Sequence, residues 1–158
     1  MSPPPLNGRL TTSATMYYMA KPTSIRFDEV LLARLRRQVQ AAPGTSTSAL
    51  AQRLVDEGLR MADHPGILFK SGPSGRRAAL AHGPDVWEVV KVLREVDERG
   101  PAAIAATAEI LALDVSRVTL AVDYYSDYQE EIDAEIAAAD EASKRAEHAW
   151  RVQRQLIA

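Results

Sequence analysis

The reactive side chains of this chain are few and scattered. His64, His82 and His148 fit neither a His-x-x-x-His nor a His-Glu-x-x-His spacing, the patterns that set two imidazoles on one helix face around a metal. There is no cysteine, which removes thiolate nucleophiles, thiolate metal sites and disulfides. No Gly-x-Ser-x-Gly string is present. Gly72-Pro73-Ser74-Gly75 lacks the Gly-Lys-Ser/Thr ending of a phosphate-binding loop. Asp123, Asp127, Glu130, Glu131 and Asp133 form an acidic run, but with the spacing of a solvated helix face and not of a calcium loop. Catalysis needs a converging set of groups. The expectation is therefore a non-enzyme with no cofactor and no metal.

Recognition chemistry is better represented. Residues 21–60 hold seven Lys/Arg against four Asp/Glu, a net of +3, while residues 112–158 hold five against ten, a net of −5. A basic front and an acidic rear suit different partners. Near the end of the chain, Trp150, Arg151, Arg154 and Leu156 combine an aromatic anchor, two arginines and an aliphatic residue, types enriched at or suited to protein interfaces. The chain has 158 residues, 46% hydrophobic and 25% charged, the profile of a folded domain or two small ones. No apolar run approaches the ~20 residues of a membrane span, and residues 1–20 are too interrupted by polar groups for a signal peptide. A cytoplasmic location follows as the expectation, with residues 1–20 a flexible leader.

Local elements must position these groups, and the informative stretch is 21–62. In Thr23-Ser24-Ile25-Arg26-Phe27 the apolar positions alternate with polar ones, the period of a strand. One strand leaves its backbone groups unpaired, and the next segment supplies no partner, so a second copy of the chain is the simplest one. Asp28 is the expected N-cap of a helix carrying Leu31, Leu32, Leu35 and Val39 on one side, ended by Ala42-Pro43-Gly44. Ser46 is the expected cap of a second helix. On it, Leu50, Leu54, Gly58 and Met61 form one row and Ala51, Val55, Leu59 and Ala62 another. That apolar face is wider than a two-helix unit can bury alone.

Strand, helix, Gly-x-Ser turn and broad apolar helix together resemble the ribbon-helix-helix (CopG/Arc-like) family of bacterial repressors and antitoxins. The resemblance covers residues 21–62. It implies that two subunits pair their strands into a ribbon that enters the major groove of DNA. Pro22, Ser24 and Arg26 would then face the bases, with Arg26 suited to guanine and Pro22 offering no hydrogen bond. Lys21 would meet phosphate, as would the backbone N–H groups of Ser46, Thr47 and Ser48 at the start of the second helix. Ile25, Phe27, Leu31, Leu35, Leu50 and Leu54 would form the dimer core.

Beyond Met61, Ile67-Leu68-Phe69 and Arg77-Ala78-Ala79-Leu80 flank a Gly/Pro loop and read as a hairpin. A helix is expected from Asp85 to Arg99, broken by Gly100-Pro101, then a short one from Ala102 to Leu111. A third, capped by Asp114 or Ser116, runs towards Leu156 with a bend near Ser126. The succession is compatible with a helix-turn-helix. The third helix, however, offers only Arg117 against Asp114 and Asp123, which favours a structural role.

Val86-Trp87 and Leu-Asp-Val-x-x-Val-x-x-Ala-x-x-Tyr-Tyr are similar to the domain-of-unknown-function 433 family over residues 63–135, although the family's usual Gly-Thr-Arg is missing. Such domains resemble parts of VapB-like antitoxins, whose partners are often PIN-like ribonucleases. The predicted architecture is mainly α with a short β-ribbon: an N-terminal ribbon-helix-helix dimerisation module, then a C-terminal hairpin and helical domain with a long terminal helix, residues 136–158 binding a partner. The two resemblances imply the antitoxin of a type II toxin-antitoxin system, an autorepressor that binds operator DNA as a homodimer. Trp150, Arg151, Arg154 and Leu156 would hold the toxin, an arginine pairing with its metal-binding carboxylates. A stand-alone regulator and a dimeric adaptor that binds no DNA are the alternatives.

Overall fold

The computed structural model describes residues 24–41, 44–72 and 75–157. Six helices and one hairpin follow in the order α1 (Glu29–Ala41), α2 (Thr47–Asp63), β1 (Ile67–Gly72), β2 (Gly75–Leu80), α3 (Val86–Glu95), α4 (Pro101–Ile110), α5 (Val115–Asp127) and α6 (Gln129–Ile157). The fold is mainly helical with a small antiparallel sheet, as the sequence pattern predicts.

Two apolar clusters hold it together. The smaller joins α1 to α2 through Leu35, Leu50 and Ala51, with Phe27 and Val39 against them. The larger lies under the hairpin. Leu80, Val86, Val89, Val118, Ala121, Tyr124 and Ile132 are fully buried there. The hairpin pairs Ile67 with Leu80 and Gly72 with Gly75. Its Ile67/Leu80 end enters the core, while its Gly72/Gly75 end stays in solvent.

Two of the three expected caps make their hydrogen bond, while Asp114 takes the N-cap position of α5 without a side-chain cap bond. Asp28 Oδ1 accepts from the Leu31 N–H at 2.8 Å, and Ser46 Oγ accepts from the Ala49 N–H at 3.1 Å. At α3, Glu88 Oε2 accepts from the Asp85 N–H at 2.9 Å, tightening the first turn.

Two boundaries differ from expectation. The helix predicted to reach Arg99 stops at Glu95. Val96 turns extended, with φ −71° and ψ 147°, which tucks its side chain into the protein. Arg99 Nη1 then donates to the carbonyls of Val96, Asp97 and Glu98, supplying donors that a continued helix would have provided. Gly100, at φ +61°, reverses the chain into Pro101 at the first turn of α4. The bend expected near Ser126 falls at Tyr128, whose φ of −128° and ψ of 41° separate α5 from α6.

The one cation of α5 faces inward. Arg117 Nη2 donates to the Ala81 carbonyl. The guanidinium occupies space a side chain at position 83 would need, since a Cβ on Gly83 would lie 2.7 Å from that nitrogen. Arg117 therefore braces the 81–83 turn, which leaves α5 without the cation a DNA-reading helix would use.

α6 changes character along its length. Ile132 and Ile136 anchor it in the core, and Asp140 pairs with Lys91 of α3. From Glu141 to Ile157 every side chain is exposed, about 25 Å of helix. Ile132→Ala should thus cost ~2–5 kcal/mol of stability, read as a lower urea midpoint. A loss below about 0.5 kcal/mol would mean that this anchor is not what holds α6 to the body.

Candidate nucleic-acid interface and its mounting

Residues 24–28 lead into α1 without regular structure, and within one chain they enter no backbone ladder. This is the segment read as a strand from residue 23 to 27, and a strand exists only with a partner. Ser24, Ile25 and Arg26 are exposed; Pro22 and Lys21 lie outside the described residues. Phe27 is half-buried against Leu35, Leu50 and Ala51.

The start of α2 lies beside this segment. Ile25, Phe27, Leu32, Thr47, Ser48, Ala51, Val55 and Leu59 line one groove of about 540 Å³, with Gln52 and Asp56 at its polar side. The segment read as base-facing and two of the residues read as phosphate-binding therefore border a single concavity. Ser46 is committed through its hydroxyl to the cap of α2, which leaves the N–H groups of Thr47 and Ser48 as first-turn donors without a helical partner.

The residues expected in the dimer core divide. Leu35 and Leu50 are buried within the chain. Ile25 is 65% exposed, Leu54 43% and Leu31 38%. Val30, Val55, Leu59 and Met61 are exposed with them.

The other side of α2 is polar and fixed to the body. Arg76 Nε on β2 donates to both carboxylate oxygens of the buried Glu57, at 2.7 and 2.8 Å. Arg60 Nη1 donates to Glu131 Oε2 of α6 at 2.7 Å and to Tyr124 Oη of α5 at 3.1 Å. Its Nε lies 2.9 Å from Asp56, and its guanidinium sits 4.2 Å from the centre of the Tyr128 ring. His64, just past α2, places Nε2 3.1 Å from Asp127 Oδ2 and packs edge-on to Tyr124. Sequence reasoning missed this row. Its signal was there: 57, 60 and 64 are three and four apart, one polar stripe on an apolar helix.

Burial shapes the electrostatics. For Arg60 burial works against the charge, but the hydrogen bonds to Glu131 and Tyr124 outweigh it and hold the pKa above the ordinary arginine range. Burial pushes the Tyr124 hydroxyl up to about 12, with Arg60 opposing. Burial also raises the Glu135 carboxyl to about 7, opposed by Arg77, whose Nε lies 3.9 Å away. Its Oε2 is buried without a hydrogen-bond partner.

The residues read as partner-binding stand together at the end of α6. Trp150 is 54% exposed and Leu156 82%. The Arg154 guanidinium lies 4.9 Å from the centre of the Trp150 ring, and Arg151 pairs with Glu147 one turn back. Among the described residues, no three His, Asp or Glu side chains cluster as metal ligands, and no helix is long and apolar enough to cross a membrane.

Glu135 yields a pH test. Its folded pKa of about 7 exceeds the ordinary 4.5, so the folded chain binds more protons than the unfolded chain between those values. The stability tied to this group is full below about pH 4.5 and is lost as pH rises through about 7. Glu135→Gln should remove that loss. Relative to the variant, the wild type should lose on the order of 2 kcal/mol between about pH 5 and 8, allowing for partial solvent access. Urea unfolding at the two pH values measures it, and parallel curves for the two proteins would contradict it.

Compared with models of protein families, with characterised proteins and with solved structures, the chain matches none.

Proposed function

We propose that this chain is a dimeric DNA-binding repressor of the ribbon-helix-helix kind that also acts as an antitoxin. The carrying observation is the division of α2 into two faces. Its polar face is used up by Arg76, Tyr124, Glu131 and Asp127. Its apolar face, with Val55 and Leu59, stays open beside the unpaired segment 24–28. A second copy would supply what both lack: a ladder partner for residues 24–28 and an apolar surface for the groove.

In that dimer the two strands form a ribbon that presents Ser24 and Arg26 twice. A two-stranded ribbon fits the major groove, and the fork of Arg26 suits the two acceptors on guanine. Thr47 and Ser48 would meet flanking phosphates with their backbone N–H groups. Base contacts would set the sequence read and phosphate contacts the register.

The exposed end of α6 supports the second activity. A helical segment whose side chains are all exposed gains little from propensity alone and is suited to docking. Trp150 and Leu156 would seat it in a groove, and Arg151 or Arg154 would enter a carboxylate cluster of a PIN-like ribonuclease, displacing the metal such a cluster needs. Two DNA-bound dimers joined by toxin would gain avidity from their linkage, which couples toxin binding to repression.

Two variants separate the parts. Arg26→Ala should lower affinity for the specific duplex by ~1–3 kcal/mol while leaving the dimer and the tail intact; an unchanged mobility shift would refute its role. Arg151→Glu with Arg154→Glu should abolish co-purification with the protein encoded by the adjacent reading frame, and growth rescue with it. If rescue survives, the tail is not the neutralising element.

A further inference from the structure

The cations of the described residues fall into two groups. In the C-terminal part, most are engaged within the fold: Arg76 with Glu57, Lys91 with Asp140, Arg94 with Asp133, Arg117 with a backbone carbonyl. On α1, Arg34, Arg36 and Arg37 are exposed, and among the described residues no carboxylate pairs with them. The acids of α2 do not offset them: Asp56 is paired with Arg60 and Glu57 with Arg76, and Asp63, at the far end of the helix, forms no ion pair with Arg34, Arg36 or Arg37. The remaining acids of the module, Asp28 and Glu29, sit at the other end of α1.

The helix itself does not account for the three arginines. Cations favour the C-terminal end of a helix, but the effect fades within the last turn, and the last turn of α1 holds no basic residue. α1 reaches the core through Leu35 and Val39, and the three arginines are exposed. What remains is an uncompensated positive surface on the helix that directly follows Arg26. From Glu29 to Arg37 the helix axis advances about 12 Å, close to the ~12 Å width of a major groove.

We infer that Arg34, Arg36 and Arg37 form a second DNA contact surface, which binds the phosphate backbone of the duplex without reading its sequence. The inference rests on the DNA-binding reading above and extends it from the ribbon to α1. Its chemistry is charge neutralisation with release of condensed counterions, so it should appear in the salt dependence of affinity and not in the preference among sequences.

The test uses the full chain and a labelled duplex covering the DNA upstream of its own gene, with a scrambled duplex of equal length. Affinity is measured from low to moderate salt for the wild type, for the triple variant Arg34→Gln, Arg36→Gln, Arg37→Gln, and for the corresponding triple Lys variant. The slope of log affinity against log salt should shrink in the Gln variant by about 2 or more, one lost contact or more per protomer. Affinity should fall at least tenfold for both duplexes, with the ratio between them unchanged. The Lys variant, which keeps the charges, should retain the slope. A Gln variant with the wild-type slope, or one that loses only the preference between duplexes, overturns the inference while the DNA-binding reading stands. A Gln variant that melts early is judged by the Lys variant: a collapsed slope there, in a protein of wild-type stability, also overturns it. A wild type that shifts neither duplex at any salt overturns the DNA-binding reading, and this inference with it.

Discussion

Arg60 is the cation on which the arrangement of this chain depends. It projects from α2 between α5 and α6 and donates to Tyr124 and Glu131, with its side chain only 17% exposed. A charge so placed is tolerated only when its partners are present, because desolvation would otherwise exclude it. Arg60 therefore requires α2 to lie where Tyr124 and Glu131 can reach it, and the Glu57–Arg76 pair repeats the demand one turn earlier. Such pairs add little net stability over an apolar replacement, yet losing one partner is costly. Their value here is orientation: they decide which side of α2 meets the body.

Once that side is chosen, the other follows. With Glu57, Arg60 and His64 committed, Val55 and Leu59 are left facing water next to Ile25. Contiguous exposed apolar surface is uncommon on a chain that acts alone and marks an interaction site. The backbone of residues 24–28 adds an unpaired edge to the same neighbourhood. A symmetric pairing of two chains, as proposed, would cover both with one operation, since each would supply what the other lacks. The direct attachment of α2 to the body also means that a partner bound to α6 acts on a helix tied to α2 through Glu131.

Much of the local structure was legible in the sequence. Asp28 and Ser46 announced their helices as caps, the Gly/Pro loop announced the hairpin, and Gly100-Pro101 announced the break before α4. The misses were tertiary in origin. α3 ends four residues before Arg99 because the Arg99 side chain, reaching back to three carbonyls, makes the early stop tolerable. α6 separates from α5 at Tyr128 with no glycine or proline to mark it. In the candidate site, alternation singled out Ser24 and Arg26, and the structure leaves both exposed. The mounting through Glu57, Arg60 and His64 was not, because the partners at 76, 124, 127 and 131 are distant in the chain and nothing local names them. Their three-and-four spacing showed a face, but not what it meets.

Pairing through the open face of α2 makes a statement about mass. Sedimentation equilibrium of the full chain, at low micromolar concentration and moderate salt, tests it without DNA or any partner protein. A homodimer through residues 24–62 predicts a species of twice the 17.3 kDa of one chain, persisting on dilution through that range. A single species of 17.3 kDa that stays monomeric up to tens of micromolar would contradict it, leaving Ile25 and Leu59 in water and residues 24–28 without a second strand.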